Sequence, residues 1–209
     1  MAQSLASMGA PAHSPSIFTT QESALITRAL NLIEDKRLKN APVLHYMEDF
    51  ERYLRLRFAG LTNEQGHTLY LNVNSELLSA ETEFFGNQKS VSWDLRKTLA
   101  RAIQLGAEYV VLAHNHPNNN PSPSDADLRH LDFFEKALEP CGITLLDSFV
   151  VTASTVTSIK TVWKERKERN DRERMAEYDR QRADRSARNM ATRAANRAKR
   201  LATAGAAHV

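Results

Sequence analysis

The sequence predicts a mixed α/β domain, a β-sheet flanked by helices, followed by a basic, helical C-terminal tail. Three observations predict it. Apolar residues recur at helical spacing in some segments and as strand-length runs in others, in the order helices, strands, helix, strand, helix, strands. Tyr109 to Ala113 is a continuous apolar run of strand length, the mark of a central strand buried on both faces. At Trp163 the composition changes to Arg, Ala and Glu with almost no large apolar residues. A chain of 209 residues can bury one real core with length left over.

Taken in order, residues 1–18 are small and polar with several prolines, and are expected to be disordered. Thr19 or Thr20 can cap a helix to about Lys36, with Leu25, Ile26, Ala29, Leu30 and Ile33 at helical spacing. A second helix is expected from Pro42, a suitable first-turn residue, to Phe58, with Leu44, Met47, Phe50, Tyr53 and Leu54 inward. Thr68 to Val73 alternates apolar and polar residues and reads as a strand, and Leu77 to Phe85 as another. Ser90 to Ser92 reads as extended. Ser92 would cap a helix from Trp93 to Leu105 that turns Leu95, Leu99, Ala100 and Ile103 inward and stops at Gly106. Asn118 to Pro123 is a loop by composition. A helix from Ser124 to Leu138 ends before Pro140, and strands follow over Ile143 to Thr152 and Val156 to Ile159. The expected organisation is a disordered 1–18, a domain over 19–162 and a tail over 163–209.

Several classes are excluded. No stretch of about 18 apolar residues exists to span a membrane. Met1 to Ser16 lacks a basic region followed by an apolar run, so a cytoplasmic location is expected over secretion. Cys141 is the single cysteine, so neither an intrachain disulfide nor a cysteine-rich zinc site can form, and any metal must be held by His and carboxylate. Cys141 itself reads as a buried small residue, not a nucleophile. His45, His67 and His130 have no ligand spacing and read as surface or structural residues.

The net charge of +3 hides an asymmetry. From Lys164 onward there are 14 Lys/Arg and 7 Asp/Glu, leaving a mildly acidic remainder of 14 basic and 18 acidic residues. Arg185 to Arg200 contains no acid at all. Three readings of the tail stand open: a solvated arm, a nucleic-acid contact acting through phosphates, or a contact for an acidic protein partner. Few aromatics interleave with the arginines, so base stacking is not suggested.

The chemistry concentrates in Val111-Leu-Ala-His114-Asn-His116-Pro117, a spacer of six residues, and Ser124-Asp-Ala-Asp127. Two histidines at i and i+2 at the end of a strand point to one face. Pro117 stops the strand. Ser124 can cap the following helix, which puts Asp127 in its first turn. Two imidazoles and one carboxylate leave the fourth tetrahedral position of zinc open, the layout of a catalytic site. His114, His116 and Asp127 are therefore the candidate ligands of one zinc per chain. Isolated, a His-x-His is more often a pair of ordinary surface histidines; the proline turn and the placement of Asp127 raise the metal reading to stand level with it.

His-x-His-Pro, a spacer and Ser-x-x-Asp resemble the JAMM signature, also called MPN-plus or JAB, of zinc metalloproteases. The version here is similar to the bacterial RadC family. The likeness extends from about Thr20 to Val151: Leu69-Tyr-Leu-Asn72, Arg101-Ala-Ile-Gln-Leu-Gly-Ala-Glu-Tyr-Val-Val-Leu-Ala113 and Gly142-Ile-Thr-Leu-Leu-Asp147 resemble segments of that family. The resemblance implies a sheet flanked by helices of the JAB/MPN, cytidine-deaminase-like architecture. It also implies zinc-dependent hydrolysis of an amide bond in a peptide or protein substrate. Counting back from Leu69, it puts the family's general acid/base on Glu64 and gives Ser124 hydrogen bonding to the tetrahedral intermediate; a plain helix cap is the competing role for Ser124. Asn115 and Pro117 would shape the loop without reacting. There are departures: Asn118-Asn119 replace Ser-Gly, Ser148 replaces a His, and a Pro-Arg-Glu run is replaced around Trp93-Asp-Leu. Asn tolerates positive φ, so the turn can survive. The roughly 20 residues before the first helix are too few for the helix-hairpin-helix module of many relatives. Two other readings remain at this point. One is a non-enzymatic nucleic-acid-associated protein with a structural or idle metal site. The other is a metal-dependent nuclease, for which the motif supplies too few carboxylates.

Overall fold

A computed structural model describes residues 16–83 and 93–205 of the chain. Residues 1–15, Phe84 and Phe85 at the end of the second predicted strand, and Ser90 to Ser92 lie outside the described residues. Two compact units divide the chain, Met1–Val162 and Trp163–Val209, and each is described by itself.

The first unit is a mixed α/β fold. Five strands, β1 (Gly66–Leu71), β2 (Leu77–Glu83), β3 (Tyr109–Asn115), β4 (Thr144–Val151) and β5 (Val156–Ser158), form one sheet in the order β2-β1-β3-β4-β5. All neighbours are antiparallel except β3 and β4, which are parallel. β3 lies at the centre, as its unbroken apolar run predicts, and Val110 to Ala113 are fully buried. A parallel pair needs a crossover, and here it is α4 (Asp125–Leu138), which buries Leu128, Leu131, Phe134 and Leu138.

Successive side chains of a strand face opposite sides. Leu69, Leu71, Val111, Ala113, Phe149 and Val151 form one core with Leu30 of α1 (Thr20–Ile33) and Phe50, Tyr53 and Leu54 of α2 (Met47–Arg57). The alternate residues face α4 and α3 (Leu95–Leu105). His114 belongs to that second face, where the ring of Trp93 meets it edge-on.

Local rules account for the helix ends. Thr19 accepts from the Glu22 amide while Glu22 accepts from the Thr19 amide, a capping box of the kind that contributes about 1 kcal/mol. A π-helical turn over Glu34–Leu38 extends α1. Gly106 closes α3 in the left-handed region at φ 64°.

Four expectations are corrected. Pro42 does not open a single helix: Val43–His45 form a 3-10 turn, and α2 starts at Met47. The Val43 amide donates to the Ser75 carbonyl of the β1–β2 turn, which diverts the chain. Met47 is consequently exposed. The strand expected over Thr68 to Val73 is β1, Gly66–Leu71, and its polar as well as its apolar residues are buried, because it lies inside the sheet with helices above and below. Its polar residues find distant partners: Trp93 Nε1 donates to Thr68 Oγ1 (3.1 Å), and Tyr53 Oη lies 3.0 Å from His67 Nε2. On α3 the cap is Asp94, not Ser92; the fully buried residues are Thr98 and Ala102, Leu95 and Leu99 are half-buried as expected, and Ala100 and Ile103 are exposed, Ile103 at 63%. Finally, Cys141 is exposed, because it ends a 3-10 turn just before Gly142 reverses the chain at φ 73°.

The last element, α5, runs from Ile159 to Gly205. Within the second unit its residues from Trp163 to Arg197 are exposed almost throughout. No helix among the described residues is long and apolar enough to cross a membrane.

Candidate metal centre

β3 delivers the histidines. His114 is on the strand, and His116 continues its extended path: the His116 amide donates to the Val151 carbonyl at 2.9 Å, prolonging the parallel pairing with β4. The two side chains thus share a face. Pro117 then turns the chain, and Asn119 occupies the left-handed region at φ 59°, the conformation that glycine would adopt more readily. Its amide donates to the His116 carbonyl (3.0 Å), and its Oδ1 accepts from the Ala153 amide (3.2 Å). The turn survives the replacement of Ser-Gly by Asn118-Asn119.

The loop returns at Ser124, the N-cap of α4. A second capping box closes here: Ser124 Oγ accepts from the Asp127 amide (3.2 Å), and Asp127 Oδ2 accepts from the Ser124 amide (2.7 Å) and lies 2.6 Å from the Ser124 hydroxyl. The carboxylate is thereby fixed, with Oδ1 3.3 Å from His114 Nε2 and Oδ2 3.9 Å from His116 Nε2. The two Nε2 atoms are 3.1 Å apart.

These distances suit a shared ion. Metal bonds of about 2.0–2.2 Å at tetrahedral angles put neighbouring donors roughly 3.3 Å apart. His114, His116 and Asp127 are the group among the described residues whose donor atoms come together in this way. The protonation pattern fits as well. His116 Nδ1 lies 2.8 Å from the Asn120 carbonyl, which only accepts, so the neutral ring carries its proton on Nδ1 and offers a lone pair at Nε2. That lone pair faces the Nε2 of His114 and the Asp127 carboxylate. Burial raises the pKa of Asp127, but the hydrogen bond and charge of His114 and the Ser124 hydroxyl and amide outweigh it, leaving the carboxyl well below the usual range. The helix N-terminus also favours the anion.

Glu64 is half-buried on the segment leading into β1 and is not one of the clustered donors. Ser124 is exposed at the mouth and donates toward Asp127. His67 is fully buried and structural. His130, set aside for lack of ligand spacing, stands one turn beyond Asp127, with ring centroids 5.0 Å from Trp93 and 4.4 Å from Phe134. Burial, and then the charge of His114, pull its pKa down to about 4. Its i, i+3 relation to Asp127 was the available signal. Beside His116 opens a cleft of about 190 Å³, lined by Arg55, Phe58, Asn115, Asn119 and Thr152.

Comparison with known proteins agrees with this architecture. Residues 44–166 match the RadC-like JAB domain. The chain is 34% identical over 134 residues to the UPF0758 protein YfjY of Escherichia coli K12, covering 64% of this chain and 83% of that protein. It is 35% identical over 141 residues to YeeS of the same organism, covering 67% and 95%. A UPF0758 protein of Vibrio cholerae is 30% identical over 142 residues, covering 68% and 89%. With the sheet order, the clustered His114, His116 and Asp127 and these matches together, the chain belongs to the family of RadC-like JAB domains.

Proposed function

We propose that this protein is a zinc-dependent metallohydrolase that cleaves an amide bond, a metallopeptidase or isopeptidase. The observation that carries the reading is the donor set itself: two imidazoles and a carboxylate at shared-ion spacing, with outer partners at Asn120 and Ser124 holding His116 and Asp127 in place. Three donors leave one tetrahedral position for water. Zinc there would supply Lewis acidity toward a carbonyl and a water of lowered pKa.

The protein's own groups do the rest. His114, His116 and Asp127 orient the site. Glu64 accepts a proton from water as its oxygen bonds to the amide carbon. As the carbon–nitrogen bond breaks, Glu64 returns that proton to the leaving amine. Ser124, whose one hydroxyl hydrogen points to Asp127 in the free site, turns that O–H toward the carbonyl oxygen as negative charge develops there, while the Ser124 amide keeps hold of Asp127. The full chain should carry about one zinc and hydrolyse members of a panel of peptide and isopeptide substrates. Chelation should abolish turnover and added zinc restore it. Protein with stoichiometric zinc but no turnover across the panel would favour a structural or idle metal site.

A second reading concerns the tail, on the observation that Arg185, Arg188, Arg193 and Arg197 are exposed on α5 with no ion pair among the described residues. Such a run suits nucleic-acid phosphates. Binding of a random-sequence duplex should weaken steeply between 50 and 200 mM salt, by up to about two orders of magnitude if all four charges engage. Changing all four arginines to glutamine should remove it, measured by fluorescence anisotropy. Salt-insensitive binding, or none, would make the tail a solvated arm.

A further inference from the structure

Asn115 stands between the two histidines, and its side chain leaves the opposite face of β3. It is 4% exposed. Its Oδ1 accepts from the Gln65 amide at 2.7 Å, and its Nδ2 donates to the Asn63 carbonyl at 3.0 Å. Its own amide donates to the Gln65 carbonyl at 3.3 Å. Three hydrogen bonds from one residue thus bracket Glu64 on both sides. The segment Asn63 to Gln65 precedes β1 and has no ladder of its own there. Gly66 opposite His114 is the first paired position.

A primary amide is suited to this task. It presents one acceptor and one donor side by side, the complement of a backbone N–H and C=O two residues apart. Aspartate would lose the donor and face the Asn63 carbonyl with a charge. Alanine would take the acceptor from the buried Gln65 amide and the donor from the half-buried Asn63 carbonyl, and the first loss is the costlier. The residue that separates the two histidines is therefore also the residue that ties down the Glu64 segment. Movement of one is transmitted to the other through bonds of ordinary length.

We infer that Asn115 is a positioning residue for Glu64: it sets the acid/base carboxylate in register with the metal donors and takes no part in holding the metal. This rests on the hydrolase reading and on Glu64 as its acid/base. It assigns to the middle residue of His-Asn-His a role distinct from that of its neighbours.

The test uses the full zinc-loaded chain. Asn115→Ala should keep its zinc, measured by elemental analysis. Amide exchange at Gln65 should quicken at least about tenfold, because its acceptor is gone. The kcat should fall on the order of 100-fold, the scale of a misplacement near 1 Å, with KM changed less than about twofold. Asn115→Asp keeps the bond to the Gln65 amide and should lie between alanine and wild type in both exchange and rate. In the Glu64→Gln background, Asn115→Ala should cost little more, because both changes act on one proton transfer. Full additivity in that cycle would overturn the proposal, since it would assign Asn115 an effect of its own. Loss of zinc from Asn115→Ala would overturn it by making Asn115 part of the metal site. Unchanged exchange at Gln65 would overturn it whatever the rate. The two failures are distinguishable: the hydrolase reading fails in the wild type, as zinc without turnover, whereas this inference fails in the variants and in the exchange of Gln65.

Discussion

Changing His114 and His116 together to alanine is expected to reduce zinc from about one ion per chain to background after desalting, with the chain still folded. The expectation follows from the donor geometry. Removing both imidazoles leaves Asp127 alone, and a single carboxylate does not retain a divalent ion against water. Either single change should weaken binding by more than the 10- to 100-fold typical of losing only an outer partner. His114→Ala removes a ring beside Trp93 but strands no bonded partner at its Nδ1, which has none. His116→Ala frees the Asn120 carbonyl in an exposed loop, where water replaces the lost bond. In the metal-free state His114→Ala should melt below His116→Ala, because His114 is buried and its Nε2 lies 3.3 Å from Asp127 Oδ1. Elemental analysis decides the matter: stoichiometric zinc in the double variant would put the site elsewhere.

Glu64→Gln is expected to separate metal binding from proton transfer. Glutamine keeps the size and hydrogen-bonding capacity of the side chain but cannot accept a proton. Zinc content should stay at the wild-type level, because Glu64 is outside the donor cluster. Hydrolysis of the best substrate of the panel should fall by roughly 100-fold or more, the scale of losing general acid/base catalysis. Asp127→Asn should do the reverse in metal analysis, lowering zinc content, because Asp127 Oδ1 lies 3.3 Å from His114 Nε2 within the donor set. A Glu64→Gln protein as active as wild type would remove Glu64 from the mechanism. A Glu64→Gln protein without zinc would make it a ligand or a fold residue.

Much of the donor cluster was legible because its determinants are local. Alternation along β3 puts His114 and His116 on one face whatever the rest of the chain does, and Ser124-x-x-Asp127 is a capping pattern whose geometry is set within one helical turn. Gly106 and Thr19 were readable for the same reason. What escaped depends on partners far away in sequence. Thr68 reads as one of the polar residues of an alternating strand and His67 as a surface or structural residue, yet both are buried, with Trp93 Nε1 donating to Thr68 and Tyr53 meeting His67 Nε2. The break before α2 follows from a bond to Ser75, more than thirty positions along the chain. The inward face of α3 is legible only in part: Leu95 and Leu99 are half-buried, but Thr98 and Ala102, small and unremarkable by hydrophobicity, are the fully buried residues, whereas Ile103 is left outside. The partners of Asn115 lie about fifty residues earlier, so no local pattern could reveal them.

The parallel pairing of β3 with β4 has a consequence for how the protein comes into being. His114, His116 and Asp127 leave the ribosome almost together, within a stretch of chain short enough to close quickly. The Val151 carbonyl that anchors the His116 backbone is synthesised later, after the whole of α4. Pairing across such a crossover is non-local and slow to nucleate. Nascent chains halted before Val151 would therefore present the same three side chains without the strand that aligns them.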